Sequence, residues 1–203
     1  MTTIIGVDPS LTGTGLARWQ DGHVVVATVA TKAGELPAAR HHAIVMRLLG
    51  MRGTNTIRPA TLVVIEAPIM PRGEDVGNRH VPLDLFALRA VIYHGLYTYA
   101  IPWVEVHPAT LKLYATGNGH ASKADMLVAA RGRLDRHLFA ADHNQADAAW
   151  LMAMGVAAYT EPLCPLPNAN RKAMARPKWP PGFHKVMAAG PYPYRPDERT
   201  VTA

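Results

Sequence analysis

The sequence predicts an α/β fold: a five-stranded mixed sheet flanked by helices and followed by a Pro-rich, basic C-terminal tail. Three observations predict it. Short β-branched runs such as Thr3–Val7 and Leu62–Ile65 alternate with longer segments whose apolar residues recur every three or four positions, the pattern of strands interleaved with helices. The 203 residues, 49% of them hydrophobic, suit one domain with some surplus, since domains most often run to about 100–150 residues. From Glu161 onward prolines recur so closely that no helix of usual length fits between them,. The expected organisation is a core over residues 1–160 and an extended or disordered tail over 161–203.

The first strand is Thr3 to Val7, ending on Asp8 before Pro9 and the Gly13 and Gly15 turn,. Leu16–Trp19 is a second strand, Asp21-Gly22 a hairpin turn and His23–Thr31 a third, Val-rich strand,. Leu36–Leu49 reads as a helix with Pro37 in its first turn and Ala39, Ala43, Met46 and Leu49 on one face,. The fourth strand, Leu62–Ile65, is wholly apolar and ends on Glu66. Residues 69–81 lack periodicity and read as a loop. From Pro82 the helical spacing of Leu85, Leu88, Ile92 and Leu96 runs to the break at Ile101-Pro102, and Trp103–Val106 is a fifth strand,. Ser122 and Asp125 form a capping box that opens a helix made basic by Arg131, Arg133 and Arg136,. The last strong helix spans about Asn144 to Tyr159.

Composition narrows the classes. No apolar run approaches the roughly 18 residues of a membrane span, and Asp8 interrupts the one N-terminal candidate for a signal sequence,. A cytoplasmic protein with no membrane partner is expected. A single cysteine, Cys164, excludes an internal disulfide and a Cys-rich zinc cage,. A formal charge of +6 favours polyanionic partners,.

Three strands, a helix, a strand, a helix, a strand and then helices is the order of an RNase H-like sheet. In that topology the first and fourth strands pair, bringing Asp8 and Glu66 to one edge. Asp147 sits in an alanine-rich, otherwise apolar helix, where a buried acid gains nothing structurally,. Three carboxylates meeting there would hold Mg²⁺ or Mn²⁺. Two such ions about 4 Å apart activate water and stabilise the leaving oxygen in phosphodiester hydrolysis.

Gly6-Val7-Asp8-Pro9-Ser10-Leu11-Thr12-Gly13-Thr14-Gly15, Val64-Ile65-Glu66, Val106-His107-Pro108 through Lys112, Gly117 to Lys123 and Ala146-Asp147-Ala148 occur in order. Through them, residues 3 to about 158 resemble the RuvC family of Holliday-junction resolvases, and its phage-borne branch more than its chromosomal one. The resemblance implies that Asp8, Glu66 and Asp147 are metal-binding acids and that Lys112 and Lys123 lie near the scissile phosphate. It also implies a homodimer whose two sites face a four-way DNA junction and cut strands of like polarity. If phage-encoded, the protein would work in the host cytoplasm, associated with the nucleoid.

The chain departs from the family in two places. Where its best-known members place a fourth ligand, an Asp or His three positions before the last Asp, this chain has Asn144, with Asp142 and His143 beside it. A hard cation prefers a carboxylate, and an Asp at a helix cap is freed from helical direction, so Asp142 is the expected extra ligand or supporting acid. Asn144 and then His143 are the alternatives, and a plain helix cap is the structural reading of Asp142. The family's loop aromatic is also missing after Glu66, leaving Ile69 and Met70 as an apolar wedge or as cover for the core edge,.

Lys112 and Lys123 read otherwise as solvated side chains, and the arginine run as a solvated helix face or a DNA contact. The tail carries Arg171, Lys172, Arg176, Lys178 and Lys185 with Trp179, Phe183, Tyr192 and Tyr194. It either lies along the core or reaches DNA as a basic arm. Tyr93, Tyr97 and Phe86, beyond one core face of their helix, mark the expected dimer surface,.

Other function classes compete. An actin-like ATP-binding protein needs a second phosphate loop and a far longer chain. An RNase H-type hydrolase of RNA–DNA hybrid shares the acids and differs in substrate, and a non-catalytic branched-DNA-binding module would lack them.

Overall fold

β1 (Thr2–Asp8) is the middle strand of the sheet because nearly every one of its side chains is apolar or small and buried. In this computed structural model, which describes residues 2–50, 60–69, 80–134 and 138–180, β1 pairs antiparallel with β2 (Gly13–Gln20), which pairs antiparallel with β3 (His23–Ala30). On its other side β1 runs parallel to β4 (Ala60–Glu66), and β4 parallel to β5 (Trp103–Val106). The sheet order is β3-β2-β1-β4-β5, the five-stranded mixed sheet the sequence predicts. Val7 pairs with Ile65, so Asp8 and Glu66 come level at neighbouring strand ends.

Strand alternation assigns each face its helices. Ile4, Leu62, Val64, Val104 and Val106 pack under α3 (Pro108–Thr116), α4 (Lys123–Arg133) and α5 (His143–Tyr159). Ile5, Val7, Val63 and Ile65 pack against α1 (Pro37–Gly50) and α2 (His80–Thr98). The even-numbered positions of β1 and β4 thus share α5's side of the sheet. Asp8 and Glu66 fall on that parity.

α5 lies unusually close to the sheet, and two glycines permit it. A Cβ on Gly6 would stand 2.0 Å from the Ala148 carbonyl oxygen and 2.5 Å from the Met152 nitrogen, and one on Gly15 would stand 2.0 Å from the Asn144 oxygen. These neighbours are backbone and cannot rotate away. We expect Gly6→Ala to cost at least about 3 kcal/mol and to lower Tm by roughly 6–12 °C. A melting curve within a degree or two of the parent would show that the helix can ride up freely.

Several expectations change in detail. The buried stripe of α1 is Arg40, His41, Ile44, Val45, Leu48 and Leu49, whereas Met46 is 54% exposed. The helix is therefore rotated from the face expected through Ala39, Ala43 and Met46, and Arg40 explains why. Its Nη2 donates to the Leu11 carbonyl at 2.6 Å and its Nε to Thr31 Oγ1 at 2.9 Å, tying α1 to the turn that follows β1. α3 was not anticipated, being a nine-residue helix opened by Pro108, with the His107 side chain accepting from the Ala109 N–H. On α2, Leu88, Ile92 and Leu96 are buried as their spacing predicts.

The arginines of α4 are braces. Arg131 donates to the Ala140 and Ala141 carbonyls, and Arg133 to those of Ala115 and Pro165. Both side chains are thus engaged within the chain, Arg131 while still exposed, and Arg136 lies outside the described residues. Extended or disordered does not describe residues 168–173, which form α6 (Asn168–Ala173). There the buried Asn170 donates its amide to the Tyr114 carbonyl at 2.6 Å. Beyond α6, Trp179 meets Tyr159 edge-on, with ring centroids 6.1 Å apart. Phe183, Lys185 and everything after them lie outside the described residues.

Candidate active site

Three carboxylates occupy the end of the sheet where β1 and β4 stop. Asp8 closes β1 before Pro9, Glu66 closes β4, and Asp147, one turn into α5, comes to the same edge because Gly6 and Gly15 let that helix press against the strands. Asp8 and Glu66 share a side-chain hydrogen bond, so one of them carries a proton. Burial, reinforced by Asp147, pushes Asp8 up to about 7. Burial, then the charges of Asp8 and Asp147, raise Glu66 to about 8. Asp147 is raised by burial to about 6, against the pull of Lys123, His143 and Lys112.

One oxygen of Asp147, Oδ1, is buried without any hydrogen-bond partner. An ionised oxygen so placed costs several kcal/mol unless a cation or a proton reaches it. Among the described residues no three His, Cys, Asp or Glu side chains converge tightly enough to enclose an ion as they stand. All-oxygen donors, one orphaned, with lysines nearby, fit a hard divalent cation.

Three cations and a histidine surround the acids. Lys123, the first residue of α4, acts on both Asp8 and Asp147, and Lys112 on α3 acts on Asp147. The exposed His143 is placed beside Asp147 by its position at the start of α5. Arg89 comes from the opposite face of the sheet. Only 3% exposed, it donates through Nη1 to the Glu66 carbonyl oxygen, and its charge lowers both Asp8 and Glu66. The sequence reading missed it. The available signal was an arginine next to Leu88 on a helix face otherwise given over to core.

Asp142, the expected fourth ligand, is the N-cap of α5. Its Oδ1 accepts from the Gln145 N–H at 2.8 Å and its Oδ2 from Thr28 Oγ1 at 2.7 Å, so both oxygens are engaged away from the three acids. Asn144 sits under β2, its amide next to Gly13 and its carbonyl next to Gly15. His143 Nδ1 lies 3.1 Å from the Lys123 carbonyl. A carbonyl only accepts, so Nδ1 carries the proton and Nε2 keeps a lone pair, the tautomer of a metal-ligating histidine. We expect Asp142→Asn to bind Mn²⁺ nearly as the parent does and to lose under about 1 kcal/mol of stability. His143→Ala should weaken Mn²⁺ binding by about 10–100-fold. Titration calorimetry with Mn²⁺ on both variants decides between them. The reverse ranking would assign the role to Asp142.

The fold has known counterparts. Over 76% of this chain and 95% of that one, the structure superposes on Thermus thermophilus RuvC with a TM-score of 0.56 and 21% identity. Against T. thermophilus RuvC in complex with Holliday junction substrate the TM-score is again 0.56, at 20% identity, covering 75% of this chain and 91% of that one. No family profile and no curated protein sequence matches the chain. At these identities the likeness is one of fold: a RuvC-like, RNase H-like sheet with its flanking helices.

Proposed function

We propose that the protein is a divalent-metal-dependent endonuclease that resolves four-way DNA junctions, acting as a homodimer. The observation that carries the reading is the buried, unpartnered oxygen of Asp147, level with a proton-sharing Asp8–Glu66 pair and flanked by Lys112 and Lys123. The RuvC-like fold and the motifs along the sequence support it. Asp8, Glu66 and Asp147 would hold Mg²⁺ or Mn²⁺, two ions per site. Bound there, the metal supplies a water activated at neutral pH and neutralises charge on the leaving oxygen.

The chain's own residues do the rest. Lys123, exposed and attracted to two of the acids, is placed to hold a non-bridging phosphate oxygen, and Lys112 to hold the next phosphate. Arg89 fixes the β4 end by gripping the Glu66 carbonyl, and its charge favours the ionised forms of Glu66 and Asp8. Ile69, 68% exposed just past Glu66, is the described half of the proposed apolar wedge, while Met70 lies outside the described residues. Resolution of a two-fold junction takes two sites, which a closed dimer supplies. Leu83, Val91 and Tyr99 of α2 and the turn after it are exposed and apolar, and we place the interface there. Tyr93 is spoken for within the chain, stacked on Trp103 and bonded to Glu105. No described helix is long and apolar enough to cross a membrane, and we place the protein in the cytoplasm with DNA.

The test is cleavage, with Mg²⁺ or Mn²⁺, of a four-way junction beside linear duplex, a fork and an RNA–DNA hybrid. We expect symmetric nicks in the junction at least about tenfold faster than in any other substrate. Preferential cleavage of the hybrid would make the protein an RNase H-type enzyme, and junction binding without cleavage under either metal would make it a binding module.

A further inference from the structure

The free edge of the sheet is not bare. Among the described residues β5 has no strand neighbour beyond it, and residues 176–178, after α6, run beside it. Between strand and tail lies a cavity of about 450 Å³, within the roughly 300–1,000 Å³ of small-molecule sites,. Its lining includes Ala67, Trp103, Glu105, His107, Arg176 and Lys178. Ala67 directly follows Glu66, and its N–H donates to the Val106 carbonyl at 2.8 Å. The cavity therefore opens at the sheet end that carries the three acids, without using any of them.

We propose that this cavity is a binding site for one unpaired nucleotide of the DNA substrate. The inference rests on the reading of the protein as DNA-binding and adds to it a place, a chemistry and a base preference.

Each part of a nucleotide meets a matching group. Trp103 offers a ring for a base to stack on, and that ring is stiffened by Tyr93, whose ring lies 5.7 Å away and 13° from parallel. A base on an aromatic platform gains about 1–3 kcal/mol whatever its identity. Arg176 and Lys178 are exposed, and neither side chain has a partner among the described residues, so both are available to phosphate,. His107 Nδ1 accepts the Ala109 N–H at 3.2 Å, which leaves Nε2 as the N–H of the neutral ring and a further donor,.

Glu105 at first looks wrong for an anion site. Its carboxylate accepts from the Tyr93 hydroxyl, which fixes it in place on β5. A fixed carboxylate repels phosphate but accepts from the exocyclic amine of cytosine, whereas thymine presents a carbonyl oxygen at that position, which the carboxylate repels. The base is thus directed toward Glu105 and the phosphate toward Arg176 and Lys178. The site discriminates cytosine from thymine.

The experiment measures binding of fluorescent oligodeoxycytidine and oligothymidine to the full chain over a salt series, without divalent metal. For the parent we expect tighter binding of oligodeoxycytidine. Arg176→Glu with Lys178→Glu should weaken both ligands by about tenfold or more and shallow the slope of log affinity on log salt by about 0.7, the amount for one phosphate. Trp103→Leu should weaken both without changing the slope. Glu105→Gln should narrow the preference for cytosine and leave thymidine binding in place. Circular dichroism and melting establish that each variant is folded. Unchanged affinity in the Arg176/Lys178 variant, or a cytosine preference that survives Glu105→Gln, overturns the proposal. The two readings fail separately: a parent that cuts no DNA while these binding differences hold removes the nuclease, and a parent that cuts junctions while they vanish removes the cavity site.

Discussion

Asp8→Asn, Glu66→Gln and Asp147→Asn should each reduce the proposed metal-dependent junction cleavage by at least about a thousandfold, because several kcal/mol of transition-state stabilisation would leave with the metal and each 1.36 kcal/mol is a factor of ten. Junction binding stays within about threefold, since phosphate contacts by lysine and arginine dominate affinity. A companion measurement separates chemistry from folding. Asp147 Oδ1 is buried and unpartnered, so Asp147→Asn removes an ionisable oxygen from a site that disfavours it and should melt no lower than the parent without metal,. Lost cleavage together with retained or raised stability is the result expected of a metal ligand. Cleavage by the Asp8 variant at the parent's rate sinks the assignment, and a large fall in Tm for Asp147→Asn would mark that residue as structural.

Without metal, the protein loses stability as pH rises from about 5 to about 9, and divalent cations restore it. The sign follows from the direction of the shifts. Asp147, Asp8 and Glu66 are raised to about 6, about 7 and about 8, above the roughly 3.9 and 4.3 of unfolded Asp and Glu. The folded state therefore holds more protons than the unfolded one between roughly pH 4 and pH 8. The contribution is fully present below the unfolded values and is lost as pH climbs through each folded value. A cation binds the ionised acids, so its stabilisation runs the other way and is largest at high pH. Melting in EDTA and in Mg²⁺ across this range should give curves that separate as pH rises. Asp147→Asn should flatten the EDTA curve. An EDTA curve that rises with pH would contradict the buried, proton-sharing arrangement.

The strand ends were legible because a buried strand that finishes on a carboxylate stands out against its own apolar run, as in Ile5-Gly6-Val7-Asp8 and Val64-Ile65-Glu66. Asp147 was legible for the same reason on a helix. Asp142 was harder. A capping acid and a ligand look alike in sequence, and only the Thr28 hydroxyl, brought over by β3, decides where its second oxygen points. Arg89 and Arg40 escaped because a buried arginine is justified by a carbonyl distant in sequence, Glu66 in one case and Leu11 in the other. α1 was placed correctly along the chain but turned the wrong way, since Arg40 on the core face breaks the apolar period that would have fixed its rotation. The six residues of α6 were hidden by flanking prolines, and its seat on α3 depends on the Asn170 amide.

The tight seating of α5 on β1 also fixes the order in which the molecule can be made. Gly6 is synthesised well before the atoms that close over it, Ala148 O and Met152 N, which arrive some 140 residues later. At about 5–20 residues per second, the central strand of a nascent chain waits roughly 7–30 s for its cover. During that time one face of the sheet is exposed and folding is held back by long-range contacts, the slow kind. The third carboxylate travels on the same late helix, so an interrupted chain is without its cover and its proposed cutting site together.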